Sequence, residues 1–374
     1  MKYNDILSKM HIWSRRDGGP YRVNLFHEYS IDADLETDSD QFHIYVNNPR
    51  GVYSCIFNKY DTVSLYVMNE EIMHGRVDEI SYIGDDSGNM MEIVGRDDLS
   101  LLIDNDAIPC TINNVDPYEY LKKKCVEYKL TLDPKDQSPR VKLFGDKIPS
   151  VEKVVIGTNE SEMTVLNNML ADGNKRIWQD GAWIFLGDWY TYRTPEFTFV
   201  RGDANIDGIP INTIKVRDSG IGVKSEVLIY GTMDDGKQKV LGTAKNPDGG
   251  SFYDGIPRRM VMSSYSNDKN TKYSGSAERK ARDAFKDGLQ ITITCNPQRM
   301  TKPVWINKTA RVVDTIIGLD ATFFIRAVNY TKSIITGSTC TVTMVPDDAT
   351  AEILWQNIGP TRKDKGYAVS KKKK

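Results

Sequence analysis

The residues best equipped for chemistry are unevenly spread along this 374-residue chain. Histidine titrates near neutral pH and is the first candidate for acid–base work or metal ligation. All four histidines (His11, His27, His43, His74) fall in the first fifth of the chain, and none stands at a metal-ligand spacing. A lone histidine beside strand residues reads as a hydrogen-bonded surface or core group. The five cysteines (Cys55, Cys110, Cys125, Cys295, Cys340) are odd in number and widely separated. They write neither a disulfide framework nor a zinc knuckle, and read as reduced, mostly packed thiols of a protein made in a cytoplasm.

Carboxylates come in pairs: Asp85-Asp86, Asp97-Asp98, Asp234-Asp235 and Asp347-Asp348. Glycosidic chemistry needs two carboxyls facing one cleft, which sequence spacing does not supply here. The pairs read as solvated residues of loops and strand ends. Asp203-Ala204-Asn205-Ile206-Asp207-Gly208 matches the first half of a calcium loop, with oxygens at alternate positions and a glycine for the sharp turn. The twelfth position, which should supply a bidentate carboxylate, is Ile214, and no helix precedes the loop. A polar hairpin loop is the better account, and Arg201-Gly202-Asp203 is read the same way. A serine-nucleophile elbow, a phosphate-cradling glycine loop and a paired-cysteine redox site are all absent from the sequence. The expectation is therefore a non-enzyme with no catalytic, cofactor-binding or metal residues.

The formal net charge of −2 gives the body no basic excess that would point to nucleic acid or an acidic membrane surface. Thr361–Lys374 alone carries seven Lys/Arg against Asp364, so this segment is +6 and the remainder −8. Such a run is too polar to bury and reads as a solvated tail, or alternatively as a tether to a negatively charged partner. The aromatics Trp178, Trp183, Trp189, Tyr190 and Tyr192 are not interleaved with basic residues, so they read as packing groups and not as a nucleic-acid platform. Met1–Lys9 is polar with no export signal after it, and no apolar stretch approaches a membrane span.

The elements that would position these side chains are mostly strands. Val63, Leu65 and Val67 share one face of Thr62–Met68, with Ser64, Tyr66 and Met68 on the other. A second strand follows through Gly75-Arg76-Val77-Asp78 to Ile83, then a turn-rich loop from Gly84 to Asn89 and a third strand, Met90–Val94. Asp116-Pro117 reads as a helix N-cap with proline at the first position, followed by a helix over Tyr118–Leu130 with Leu121 and Cys125 on one face. A second helix opens at Asn159, with Glu162 completing a capping-box pattern, and stops at Gly173. Asp180-Gly181 between apolar runs predicts a tight hairpin. Strands then resume at Ile211–Val216 and Ser225–Tyr230. Thr243–Thr271 reads as a long loop or mobile segment, and Ser276–Lys286 as a short charged helix. Further strands are expected over Gln290–Cys295, Ala310–Val313, Thr322–Tyr330 and Thr339–Val345.

The segment Asp61–Asp104 resembles the baseplate hub proteins of contractile-tailed phages, that is, the phage Mu-type hub and late control protein D family. The matching residues are Gly75, Val77 and Asp78, then Gly95-Arg96-Asp97-Asp98, then Leu99, Leu101, Leu102, Ile103 and Asp104. The C-terminal half follows the family in order: Ala281-Arg282, Leu289–Thr294, Lys302-Pro303-Val304-Trp305-Ile306-Asn307, Val312-Val313-Asp314 and Phe323–Tyr330. The resemblance implies a mainly β chain with α/β accessory parts and two small tail-tube-type β-barrels. It places the first barrel over residues 1–107 and a mixed accessory domain over 108–208. The second barrel combines 209–219 with 289–345, accessory strands and a loop fill 220–288, and 346–374 form a basic extension. It further implies a homotrimer in the virion tail baseplate, which adapts the tail tube to the central spike. Partners would then be the spike, tube, tape measure and baseplate wedge proteins, with DNA passing through the lumen without sequence-specific contacts and with no membrane contact. On this reading Asp78, Arg96, Asp97 and Asp98 have no partner that argues for chemistry, the glycine lets the chain leave the sheet, and Leu99–Ile103 plugs the open end of the first barrel. Two other readings stay open: the hub of a contractile bacteriocin or secretion system, and a carbohydrate-binding or cell-wall-acting β protein presenting Trp178–Trp189 as a stacking platform.

Overall fold

A computed structural model describes residues 7–13, 19–23, 26–48, 57–85, 88–133, 135–170, 175–188, 194–202, 205–218, 226–232, 238–245, 259–263, 289–333 and 337–346. The chain divides into two compact units, Met1–Lys215 with Ile291–Met344, and Val216–Gln290 with Val345–Lys374.

The first unit begins with seven strands: β1 (Leu7–Trp13), β2 (Pro20–Val23), β3 (Phe26–Asp34), β4 (Gln41–Asn47), β5 (Thr62–Val67), β6 (Glu70–Asp85) and β7 (Gly88–Asp97). Period-2 alternation is what makes them strands. Phe42, Ile44 and Val46 of β4, and Met91 and Ile93 of β7, are buried, while the residues between them are partly open. The turn after β5 is tighter than its sequence suggests. Met68 and Asn69 take positive φ, so the pairing of β5 with β6 starts at Val67↔Glu70.

A mixed α/β layer follows, built from helix α1 (Ser100–Asp104), β8 (Cys110–Val115), helix α2 (Pro117–Glu127), β9 (Val141–Phe144), β10 (Val151–Ile156), helix α3 (Glu162–Leu170), β11 (Lys175–Asp180) and β12 (Trp183–Asp188). The predicted cap holds at α2, where the Asp116 carboxylate accepts from the Tyr118 and Glu119 N–H groups. The cap of α3 does not sit at Asn159. Asn159 has φ +63 in the preceding turn, and Ser161 Oγ accepts from Thr164 N, which makes Ser161 the N-cap and frees Glu162 to point inward. The predicted hairpin forms, but its two-residue turn is Gly181-Ala182, with Gly181 at φ +57 and Asp180 paired to Trp183. Leu99 and Leu102 are buried with Leu121, Cys125, Leu130 and Leu166. The apolar turn expected to plug the first barrel is therefore part of the α/β core.

The rest of the unit is β13 (Phe197–Arg201), β14 (Ile209–Asp218), then β18 (Leu289–Cys295), β19 (Thr309–Asp314), β20 (Leu319–Ser333) and β21 (Gly337–Pro346). Strand order β19-β13-β14-β18-β21-β20 returns to β19 through the β19–β20 hairpin, so these six strands close a barrel. β13 pairs in parallel with both β14 and β19 and so completes the ring. Val304, Trp305, Ile306 and Asn307 are all buried against it. Tyr330 pins that segment, its hydroxyl donating to Val304 O (2.8 Å) and accepting from Val304 N (2.7 Å).

The chain is thus β-rich, with a closed six-stranded barrel and further sheets, as expected. The N-terminal seven strands pair in the order β3-β4-β7-β6-β5-β1-β2, and among the described residues no ladder joins β2 back to β3. The 15-residue β20 links the two halves. Its first half pairs with β19 and its second half with β3, from Ala327↔Asp34 to Lys332↔Tyr29, giving one thirteen-stranded sheet. The second unit holds β15 (Glu226–Thr232) between β16 (Gln238–Lys245, antiparallel) and β17 (Arg259–Ser263, parallel). Two parts of the stretch read as a loop are therefore strand: Thr243–Lys245 closes β16, and Arg259–Ser263 is β17. The charged helix and the basic tail lie outside the described residues.

Candidate functional site

Two features are built by long-range pairing, a polar face along the continuous sheet and a buried polar junction between that sheet and the α/β layer. The polar face follows from alternation. Where Ile31 and Ala33 of β3, Val328 and Tyr330 of β20, and Val342 and Met344 of β21 point into the core, their neighbours Asp32, Asn329, Thr341 and Thr343 point the other way. At the β20–β3 seam these side chains line a groove of about 340 Å³, with Asp34, Thr37, Ser39 and Gln41. Asn329 Nδ2 donates to Ser30 Oγ (3.0 Å) and to Asp32 Oδ1, and Ser30 Oγ donates to Asp32 Oδ2 (2.6 Å). Further along the same face, His43 Nε2 lies 2.5 Å from Glu92 Oε1, which also accepts from Tyr45 Oη (2.8 Å). The Tyr45 hydrogen bond leads in holding Glu92 below the usual carboxylate range, with the His43 contact adding to it. What this face offers is hydroxyls, amides and negative charge.

The junction gathers residues that are far apart in sequence. Asp98 is buried at the end of β7, and its Oδ2 accepts from His74 Nδ1 (2.7 Å) and Thr131 N (3.3 Å). Its own N–H donates to Gln179 Oε1 (3.2 Å), and Gln179 Nε2 donates to His74 O (2.5 Å) and Gly181 O (2.9 Å). Arg76 reaches Lys129 O (3.3 Å) with NH2, while its Nε lies 3.6 Å from Asp98 Oδ1. Gly181 N donates to Ile72 O (3.1 Å), so the hairpin tip is stitched to β6. Burial pushes His74 down, but the charge and hydrogen bond of Asp98 outweigh it and hold His74 above the usual histidine range. Arg96 spans Asp78 (2.7 Å) and Asp104 (2.7 Å), tying β6 and β7 to helix α1. Asp97-Asp98, read from the sequence as a solvated pair, is buried instead. Asp78, Arg96 and Asp97 are paired within the sheet and to α1, and Asp98 is held by groups of the α/β layer. The signals were present in the Asp97-Asp98 pair and the Asp180-Gly181 hairpin, but nothing in the sequence said that they meet.

The other sequence candidates separate. His11 packs edge-on to Trp13 (ring centroids 5.9 Å) and at a tilt to Tyr66 (5.0 Å). Cys125, Cys295 and Cys340 are buried free thiols, Cys110 is exposed, and Cys55 lies outside the described residues. Asp207 is exposed and Asp203 lies outside the described residues, as do Asp234-Asp235, Asp347-Asp348 and Trp189. Among the described residues no group of three or more His, Cys, Asp or Glu could hold a metal ion, and no described helix is long and apolar enough to cross a membrane. The aromatic hairpin packs on itself: Trp178 is buried, stacked on Phe185 at 5.5 Å and edge-on to Phe144, and Lys142 Nζ covers the Trp183 ring at 3.7 Å. Gly75 and Gly95 do not end strands. A Cβ on Gly95 would lie 2.1 Å from Arg76 O and 2.4 Å from Phe42 Cζ, so glycine is required for close passage of β6 and β7.

No protein-family model matches the sequence, and no curated protein matches it. Solved structures do. The tail protein from Neisseria meningitidis MC58 superposes with a TM-score of 0.72 at 16% identity, over 92% of this chain and 98% of that one. The 43 kDa tail protein of prophage MuSo2 from Shewanella oneidensis gives 0.68 at 16% identity, over 91% and 99%. The fold is that of phage tail proteins. A component of the E. coli type VI secretion system, itself structurally similar to the T4 bacteriophage tail proteins gp27 and gp5, matches more loosely, with a TM-score of 0.50 at 10% identity over 86% of this chain and 73% of that one.

Proposed function

We propose that the chain is a structural baseplate hub subunit of a contractile phage-type tail, non-enzymatic, and working as a trimeric ring between tail tube and central spike. The observation that carries this reading is the barrel joined to a second sheet through β20 and β3, within a fold shared along nearly the whole length of phage tail proteins. A subunit carrying two sheet modules gives six modules in a ring of three, the geometry needed to join six-fold and three-fold structures. The polar, acidic face suits a lumen wall: it hydrates well and repels a nucleic-acid backbone, so DNA would pass without sequence-specific contacts. In this role the spike, tube, tape measure and wedge proteins are the partners, and the virion tail baseplate is the location. The same fold in a secretion-system component keeps the equivalent hub of a secretion system or bacteriocin within the proposal.

Light scattering on the purified full chain, with negative-stain microscopy, tests the reading. The expected result is three times the 42.4 kDa chain mass and a ring with a central opening. A stable monomer that binds oligosaccharides would overturn it in favour of the carbohydrate reading, against which the self-packed Trp178–Phe185 face already weighs.

A further inference from the structure

Behind the Asp98 junction lies a second pair of carboxyl groups that the hub role does not use. Asp97 is 1% and Asp40 5% exposed. Asp97 N donates to Asp40 O (3.0 Å), Ser39 Oγ donates to Asp97 Oδ1 (2.5 Å), and Asp34 N donates to Asp40 Oδ1 (3.1 Å). Asp97 Oδ2 is buried with no hydrogen-bond partner. Among the described residues neither carboxyl has a cation within ion-pair distance. The surrounding charges are all assigned elsewhere: Arg326 to Asp34 and Glu36, Lys308 to Asp180, and His74 and Arg76 to Asp98. Asp34 and Asp180 face Asp40, and Glu71 faces His74. Two adjacent carboxylates in such a place cannot both be charged without a large desolvation and repulsion cost, so at least one keeps its proton into the neutral range.

We propose that the Asp40–Asp97 pair is a proton-operated latch: protonated, it lets the α/β layer seat on the sheet, and ionised, it loosens that layer while leaving the barrel intact. The adjacency of Asp97 and Asp98 confines the effect. Asp97 turns toward the β3–β4 connection, while Asp98 carries the contacts to Thr131, His74 and Gln179. A new negative charge on Asp97 therefore acts on the carboxylate that holds the α/β layer. The barrel core around Tyr330 and Val342 contains no member of the cluster.

The direction with pH follows from burial. Burial is the largest cause pushing Asp97 up, to about 7, and burial with the Asp97 charge pushes Asp40 well above the usual carboxylate range. A group with a raised folded-state value stabilises fully below its unfolded value near 4 and loses that contribution as pH rises through the folded value. The latch is therefore tight in mild acid and opens on the alkaline side of neutrality.

Amide hydrogen exchange of the full chain at pH 6 and pH 8.5, corrected for intrinsic rates, tests this independently of the oligomeric state. Peptides covering Thr131 and the β11–β12 hairpin are expected to lose about tenfold or more protection between the two pH values, with β18 and β21 nearly unchanged. D97N and D40N should each reduce the pH effect and the double variant D40N/D97N should abolish it, whereas H74Q should weaken the junction at both pH values and leave the pH effect in place. Equal loss in barrel and α/β layer in the wild type, or an effect that survives D40N/D97N but vanishes in H74Q, would overturn the proposal.

Discussion

Truncating Glu162 to alanine probes the buried network that holds helix α2 on helix α3. Glu162 is fully buried, with Oε1 2.6 Å from Lys124 Nζ and Oε2 accepting from Tyr120 Oη at 2.7 Å; Tyr128 Oη donates to Oε1 at 3.3 Å. The Lys124 ammonium lies 5.6 and 5.7 Å from the Tyr120 and Tyr128 ring centroids, and its other carboxylate partner, Glu127 at 3.1 Å, is partly exposed. Removing one member of a buried pair costs about 3–5 kcal/mol, because the other charge is left without compensation. Glu127 supplies part of that compensation, which places E162A near the lower end, about 3 kcal/mol. Since about 1.4 kcal/mol is a factor of ten, that is roughly two decades in the opening equilibrium. The barrel and the α/β layer have separate cores, so the assay is amide exchange of α2 and α3, not one global midpoint. The double variant E162L/K124M removes both charges together with their desolvation cost and should recover at least half of the loss. A single-variant cost below about 1 kcal/mol, or a double variant as weak as E162A, would refute the argument that the ion pair is mutually compensating.

Other outcomes follow from single contacts. Asp116→Ala removes the acceptor for two N–H groups at the start of α2 and should cost about 1 kcal/mol, recovered largely by Asn, as read from exchange of the first helical turn. Gly95→Ala forces a Cβ to 2.1 Å from a backbone carbonyl and should cost several times the ~1 kcal/mol of an ordinary surface change, with thermal unfolding as the readout. Among the described cysteines, thiol labelling mapped by mass spectrometry should modify Cys110 first. Cys125, whose thiol burial pushes up to about 12, should react only after unfolding.

Much of the architecture was legible because it rests on local rules. Alternation marked most of the strands that form the barrel, Asp116-Pro117 marked helix α2, and the apolar-flanked Asp-Gly marked a hairpin whose turn proved to lie one residue later. Errors came where local signals competed. Asn159 had the right residue type for a cap, but tertiary packing drew Glu162 inward to Lys124 and moved the cap to Ser161. Arg259–Ser263 lay within a segment rich in turn formers, and only its parallel pairing with β15 shows it to be a strand. The apolar character of Leu99–Ile103 is plain in the sequence, but its place in the α/β core instead of a barrel mouth was not, because one apolar turn fits many cores.

By itself, then, the sequence determined the period of each element and the composition of its two faces, since both depend on residues two to four positions apart. The order of its short motifs pointed toward phage tail proteins, and the fold is shared with tail proteins along nearly the whole chain. Only the tertiary structure decided that β20 is shared between the barrel and the N-terminal sheet, and that β13 closes that barrel through parallel partners. It alone decided that His74, Asp98, Thr131 and Gln179 form one junction with the Asp40–Asp97 pair behind it. Those arrangements join residues dozens to hundreds of positions apart. No local propensity encodes them, and they become favourable only when the intervening chain has folded and water has been excluded.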